Sequence, residues 1–286
     1  MIRLARDVGS YRFSRYPGVI LVPYGSSPYP SQATMYQLHL LSYNIQAGIH
    51  TRQYSEYVTK SWRHVLPHQE HLYNLGRIAS MLGEFDFVGL QEVDAGSLRS
   101  GFVDQTEYLA SHARFPYWYK QVNRNLGRIA QHSNGVLSRV RPFEITGYKL
   151  PGLPGRGAVV VELETTDESV LAVCILHLAL GWRARRRQLD SIRELAARYP
   201  YLVLMGDFNC DCDSRALKEL VADTDLRGLD CALKTFPSWC PRRNLDHILV
   251  SENLRIIGAR VLDYSVSDHL PVSMKVALPE GIQLAT

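Results

Sequence analysis

The sequence predicts an α+β fold in which largely antiparallel sheets are flanked by helices. Three observations carry this: strands outnumber helices, several strands follow one another with no helix between them, and each polar cluster sits at the end of an apolar run. A doubly wound parallel sheet would instead alternate strand and helix along the chain. Short Val-, Leu- and Ile-rich runs bounded by Gly, Asp or Ser read as buried strands rather than helices.

In chain order, residues 1–34 are rich in Arg, Tyr, Pro and Ser, with 24–32 a loop set by Gly25, Pro28 and Pro30. They are either an appended arm, ordered or disordered, or the product of an upstream start codon in a protein that begins at Met35. Tyr36–Tyr43 alternates as a strand. Over Val65–Phe85, Leu72, Leu75, Ile78, Ala79 and Leu82 recur at helical spacing, and the apolar strand Phe87–Leu90 follows. Asn134–Ser138, Ala158–Leu163 and Val170–Leu176 are strands. Arg183–Tyr199 is a second amphipathic helix, with Leu189, Ile192, Leu195 and Ala196 on one face. Tyr201–Met205, Leu245–Val250 and Arg260–Tyr264 complete the strands, the last running on to Val266. One domain spans 35–279, with no internal repeat or linker, and 280–286 form a tail.

Composition sets outer bounds. At 286 residues with 46% hydrophobic and 21% charged content, the chain is that of a globular protein, expected to act as a monomer. No apolar run approaches the roughly 20 residues that cross a bilayer. Arg3, Arg6, Arg12 and Arg15 interrupt any signal-peptide core, so the default compartment is the cytoplasm. Five cysteines in such a chain are most simply free thiols, and Cys210-Asp211-Cys212 alone is a weak metal signal. A net charge of +4 is compatible with a phosphate-bearing substrate and does not tell nucleic acid from lipid headgroup or sugar phosphate.

The chemistry lies in six clusters at strand ends: Asn44 in Ser42–Gln46, Glu92 in Gln91–Asp94, His177, the Gly206-Asp207-Phe208-Asn209 tetrad, Asp246 in Leu245–His247, and Ser267-Asp268-His269. Acids, amides and imidazoles without a Cys ligand favour a hard, oxygen-coordinated cation, Mg²⁺ or Mn²⁺, over structural zinc. Alternation in an extended segment would place Asp207 and Asn209 on one face with Phe208 turned away. A simple Asp-Asn turn accounts for one cluster but not for six.

The order and types of these residues resemble the endonuclease/exonuclease/phosphatase superfamily, from about Gln37 to Val276. Part of the pattern, from Gln91–Asp94 through Arg99-Ser100-Gly101 to Ser133–Arg139, is similar to a bacterial and eukaryotic branch related to glycosylphosphatidylinositol-anchor remodelling. The resemblance implies a four-layer α/β/β/α sandwich of two packed mixed sheets and Mg²⁺-dependent cleavage of a phosphate ester. It makes Glu92 the main metal-binding residue, with Asn44 and Asp268 supporting. It makes Asp207 the residue that orients or deprotonates water, and Asn209 a donor to the phosphoryl oxygens. His269 would pair with Asp246, and His177 would contact the phosphate or protonate the leaving oxygen. His247 stands where the family often has Tyr and is read as a neighbour in the strand.

Three further positions are candidate substrate contacts. Asn134 would position His177 or a phosphate, or simply form a turn; Arg99 would meet a phosphate or pair with Asp94 or Asp104; and Arg183, in the patch with Arg185, Arg186 and Arg187 beside Trp182, would grip an anionic substrate or face solvent. The expected activity is therefore that of a Mg²⁺-dependent phosphoric ester hydrolase, most simply a phosphodiesterase, with lipid headgroup, small molecule and nucleic acid all open as substrates. A nuclease is one alternative. A non-catalytic binding module on the same fold is another, although the gaps expected of a degenerate member are not found.

Overall fold

The computed structural model describes residues 5–6, 11–12, 35–49, 51, 53–55, 69–152, 154–228 and 231–285. In chain order the strands and helices are β1 (Ala5–Arg6), β2 (Tyr11–Arg12), β3 (Gln37–Asn44), α1 (Gln69–Met81), β4 (Phe87–Asp94), α2 (Gln105–His112), β5 (Tyr117–Asn125), β6 (Gln131–Ser138), β7 (Glu144–Lys149), β8 (Gly157–Glu164), β9 (Val170–His177), α3 (Trp182–Ala196), β10 (Tyr201–Asp207), α4 (Arg215–Ala222), β11 (Leu226–Arg227), β12 (Asp246–Ser251), β13 (Arg255–Val261) and β14 (Val272–Ala277). One sheet runs β1-β7-β8-β9-β10-β12-β11, with β2 also on β7, and the other runs β13-β14-β3-β4-β6-β5.

Alternation along the central strands explains the layers. In β10, Val203 and Met205 point between the sheets, where they meet Leu38, Leu40, Phe87 and Met274. Leu202 and Leu204 point the other way, onto Leu189, Ile192, Leu195, Leu217 and Leu220 of α3 and α4. In β3, Leu41 and Tyr43 face away from the inter-sheet core and pack with Leu75, Ile78 and Leu109 of α1 and α2. Helices thus cover both outer faces of two stacked sheets, the four-layer sandwich expected. Strands buried on both faces read as continuous apolar runs, which is why these were legible.

Two parallel pairs set the position of the site. β3 and β4 are parallel, with α1 between them in the chain, and β9 and β10 are parallel, with α3 between them. Each crossover brings two carboxyl-terminal strand ends side by side. Antiparallel β12 enters beside β10 with Asp246 opposite Asp207.

Several expectations are corrected. The strand expected at Arg260–Tyr264 is β13, which ends at Val261, and a loop closed by Leu262 N–H on the Pro271 carbonyl carries the chain on to Ser267. Residues 69–81 of the expected Val65–Phe85 helix form α1, followed by a 3₁₀ turn at Leu82–Glu84; its beginning, at 65–68, lies outside the described residues. β5, β7, β14, α2 and α4 were not foreseen. Most of the 1–34 arm is likewise outside the described residues; within it, β1 and β2 pair with β7. Leu284 of the tail is buried in the inter-sheet core and bridges Thr165. Cys212 and Cys231 are disulfide-bonded, contrary to five free thiols, while Cys174, Cys210 and Cys240 are free.

Candidate active site

The site is a row laid across neighbouring strands. His177 ends β9, Asp207 ends β10 directly opposite it, and Asp246 opens β12 opposite Asp207, so one line of backbone register aligns three candidate side chains. From the facing sheet, Asn44 ends β3, and its Nδ2 donates to Asp207 Oδ2 at 3.1 Å. The Asn44 Oδ1 accepts from the Gln46 backbone N–H at 3.1 Å, which fixes the orientation of the amide.

Glu92 reaches the site through an irregularity. Between Leu90 and Val93 the β4–β6 register shifts, and Glu92 has a left-handed φ of 57°. An extra residue in a bulge turns its side chain out of the strand's regular alternation, a strained conformation that neighbouring structure must hold. The Glu92 Oε1 lies 3.9 Å from His177 Nε2. Asn209 is also left-handed, at φ 53°, so Asp207 and Asn209 share a side through a tight turn rather than through extended alternation. Its backbone N–H donates to Asp207 Oδ1 at 2.8 Å, and its Nδ2 donates to the Leu178 carbonyl at 2.9 Å. Phe208 between them is fully buried and stands edge-on to His247. The His247 Nε2 lies 2.8 Å from the Cys210 carbonyl, a structural contact within the core.

His269 and Asp246 form a dyad: Nδ1 lies 2.8 Å from Asp246 Oδ2, which also accepts from Thr235 Oγ at 2.6 Å. The other ring nitrogen, Nε2, faces Asp207 Oδ2 at 3.9 Å. The segment around Thr235 braces the Ser267–His269 loop. Ser238 N–H donates to the Asp268 carbonyl at 2.8 Å, and Ser238 Oγ to the Ser267 carbonyl at 2.6 Å. Neither Thr235 nor Ser238 had a sequence signal, because they precede Asp246 in an irregular loop with no motif.

Electrostatics separate the two histidines. Burial, and then the charge of Arg156, push His177 well below the ordinary imidazole range, so it is neutral. Burial works against charge at His269 too, but Asp246 and Asp207 outweigh it and hold the ring protonated. Asp207 is raised by burial, with His269 pulling it down and Asp246 pushing it up. Adjacent groups driven to opposite protonation states are what acid–base chemistry requires.

A cleft of about 450 Å³ opens over this row, lined by Glu92, His177, Asp207, Asn209, Asp268 and His269, with Arg156, Arg185 and Arg243 among its walls. Those three arginines were not singled out individually as site residues, because nothing local distinguishes them from surface cations. Arg185 is placed there by Nη1 donating to the Ala179 and Leu180 carbonyls at 3.1 and 2.8 Å.

The donor set fits a hard cation. Glu92 is raised by burial and then by the neighbouring negative charge of Asp268, so two carboxylates are brought together where a cation would relieve both. Asp207, Asp246 and His269 also converge closely enough to ligate. In that trio, however, Asp246 Oδ2 and His269 Nδ1 already satisfy each other.

The three candidate substrate contacts do not line the cleft, and for Arg99 the expected alternative, an ion pair with Asp94, is what is found. Arg99 is buried, its Nε 2.5 Å from Asp94 Oδ2. Asn134 is fully buried, with Nδ2 donating to the Gly157 carbonyl of the other sheet at 3.0 Å, and so ties the sheets together. Arg183 stacks over Trp182, 5.3 Å from the ring centre, and Arg185, half a helical turn on, is the member of the patch that lines the cleft.

Comparison with known proteins agrees with this geometry. The model of the Endonuclease/Exonuclease/phosphatase family matches residues 41–269. Among solved structures, an endonuclease/exonuclease/phosphatase from Beutenbergia cavernae superposes with a TM-score of 0.66 at 18% identity, covering 85% of this chain and 72% of that one. A family protein from Bacteroides thetaiotaomicron gives 0.65 at 18% identity, covering 86% and 99%. The mannosyl-6-phosphatase Bt3783 of the same species gives 0.62 at 18% identity, covering 84% and 100%. At these identities the likeness is one of fold. No curated protein matches the sequence.

Proposed function

The chain belongs to the endonuclease/exonuclease/phosphatase family, and from that premise we propose that it is a divalent-metal-dependent phosphoric ester hydrolase, most simply a phosphodiesterase. The observation that carries this reading is the single row of His177, Asp207 and Asp246 across three adjacent strands, facing Asn44 and Glu92 from the other sheet.

Glu92 would hold the cation with Asp268, Asn44 would steady the site, and the metal, when bound, would neutralise phosphoryl charge and polarise the ester. Asp207, with its carboxylate held by Asn44 and by the Asn209 backbone, orients the attacking water and accepts its proton. Protonated His269 presents Nε2–H to the phosphoryl oxygens, while Asp246 accepts from Nδ1–H, orients the ring and supports its charge. Neutral His177 and the second amide N–H of Asn209 add uncharged donors as charge builds. Delivery of a proton to the leaving oxygen thus falls to His269 rather than His177.

Mg²⁺ or Mn²⁺ is the expected cofactor. Fold neighbours include a protein described as a 2′,3′-cyclic phosphatase and a mannosyl-6-phosphatase, which keeps both diester and monoester chemistry within range. Glu92→Gln should leave the circular-dichroism spectrum unchanged and remove nearly all Mg²⁺-dependent turnover of bis-p-nitrophenyl phosphate and p-nitrophenyl phosphate. Full activity in that variant would overturn the assignment.

A further inference from the structure

The cleft does not end at Glu92. It continues into a second chamber of about 410 Å³ whose walls include Arg124 from the end of β5, His132 from β6, Gly155 and Arg156 from the β7–β8 loop, and Leu180 from the β9–α3 loop. Glu92, Arg156 and Leu180 line both chambers, so the two are continuous. Accepting the hydrolase reading above, we infer that this second chamber binds a second phosphate on the substrate, one that is not cleaved.

The argument rests on charge and on how the side chains are held. Arg124 and Arg156 bring two guanidinium groups to the chamber, where Glu92, at the shared boundary, is the acidic residue in the wall. Among the described residues neither arginine has a carboxylate at ion-pair distance. Arg156 is fixed in place, its Nε donating to the Leu178 carbonyl at 2.9 Å and its Nη1 to the Gly155 carbonyl at 3.0 Å, so the guanidinium is oriented before any ligand arrives. Gly155, at φ 112°, lets its loop lie against the Arg124 stem: a Cβ there would already stand 3.5 Å from Arg124 Cβ and Cδ. His132 is kept neutral, its pKa pushed down to about 4 by burial and by the surrounding arginines, so it brings an uncharged imidazole to the wall. Planar guanidinium groups held in advance are the usual protein solution to phosphate recognition.

The chemistry selects substrates carrying a phosphate beside the scissile ester. Such a group is found on a bisphosphorylated sugar or polyol and on a neighbouring nucleotide. Two measurements decide. In the first, inorganic phosphate is titrated into the protein in EDTA, without turnover. The titration should give saturable binding that Arg124→Gln, at an exposed position, and Arg156→Gln each weaken by about fivefold or more, in the range of one charged contact. The second compares kcat/KM with Mg²⁺ for glucose 1,6-bisphosphate against glucose 6-phosphate, and for pTpT against TpT. At least one pair should show a preference of about tenfold for the doubly phosphorylated member, falling to within about threefold in Arg124→Gln; the pair that does so identifies the source of the second phosphate. Phosphate binding unaffected by either substitution overturns the subsite, as does a preference that Arg124→Gln leaves intact. If no substrate is turned over by the wild type while the EDTA titration behaves as stated, the hydrolase reading fails and the anion site stands.

Discussion

At the scale of single residues, the site depends on which polar groups are already satisfied. Asp246 gives one oxygen to His269 and Thr235 and keeps the imidazole oriented and charged. Asp246→Asn should therefore preserve the fold and lower kcat by roughly 10²- to 10⁴-fold with a smaller effect on KM, since the amide no longer supports the charged ring. Asp94 does the opposite kind of work. It is fully buried and accepts from the backbone of Gly96, Ser97 and Gln131, the hydroxyls of Ser97 and Ser100, and Arg99 Nε. Burial pushes its pKa up, but Arg99 and the Ser97 donors outweigh this and hold the carboxyl below its ordinary value. A folded-state pKa below the unfolded one stabilises fully above the ordinary carboxylate range, and the stabilisation is lost as pH falls through the folded value. Asp94→Asn should cost about 3–5 kcal/mol at neutral pH by stranding Arg99. Urea midpoints measured across pH should fall less steeply into acid for this variant than for the wild type.

At the scale of elements, two glycines show how strand ends are held in register. Gly206 sits at φ 151°, and a Cβ there would lie 1.9 Å from the Leu176 carbonyl oxygen of β9. Backbone cannot yield as a side chain can, so Gly206→Ala should part His177 from Asp207 and abolish activity along with most soluble yield. Gly89 of β4 stands between the sheets, where a Cβ would lie 2.8 Å from Met205 Cε, the end of a flexible chain, and 2.9 Å from Ile175 Cγ1, a side-chain atom of a stiffer, branched residue that must shift as a whole. Gly89→Ala should fold and lose only about 1–3 kcal/mol, read as a lower denaturant midpoint. The Glu92 bulge has the same logic: a local departure from regular pairing aims one carboxylate, and nothing in Gln91-Glu92-Val93 announces it.

For the whole molecule, the Cys212–Cys231 bond closes a segment of sequence separation 19 beside the site. Asn244, just before Asp246, is tied to both sides of that segment, accepting from Cys212 N–H and donating to the Leu233 carbonyl. Cys231→Ser should lower stability by about 3 kcal/mol, seen as a fall in Tm that reductant reproduces in the wild type and does not add to in the variant. Added Mg²⁺ or Mn²⁺ should raise the wild-type Tm, and Glu92→Gln should cancel the increase.

The sequence by itself determined most of the central strands, though not β7 or β14, parts of two of the covering helices and the membership of the polar row. Strands buried on both faces write unbroken apolar runs, and the clusters at their ends then stand out in the chain. Edge strands β5 and β13 were missed or misplaced because half-exposed alternation is weak, and α2 and α4 because eight residues give too few turns for a periodic signal. Tertiary structure alone decided which polar residues work on the cleft and which work on the fold. Arg99 and Arg156 are indistinguishable as letters. One is spent inside on Asp94, and the other is held between two chambers by two carbonyls, because burial and partner geometry arise only when distant strand ends meet.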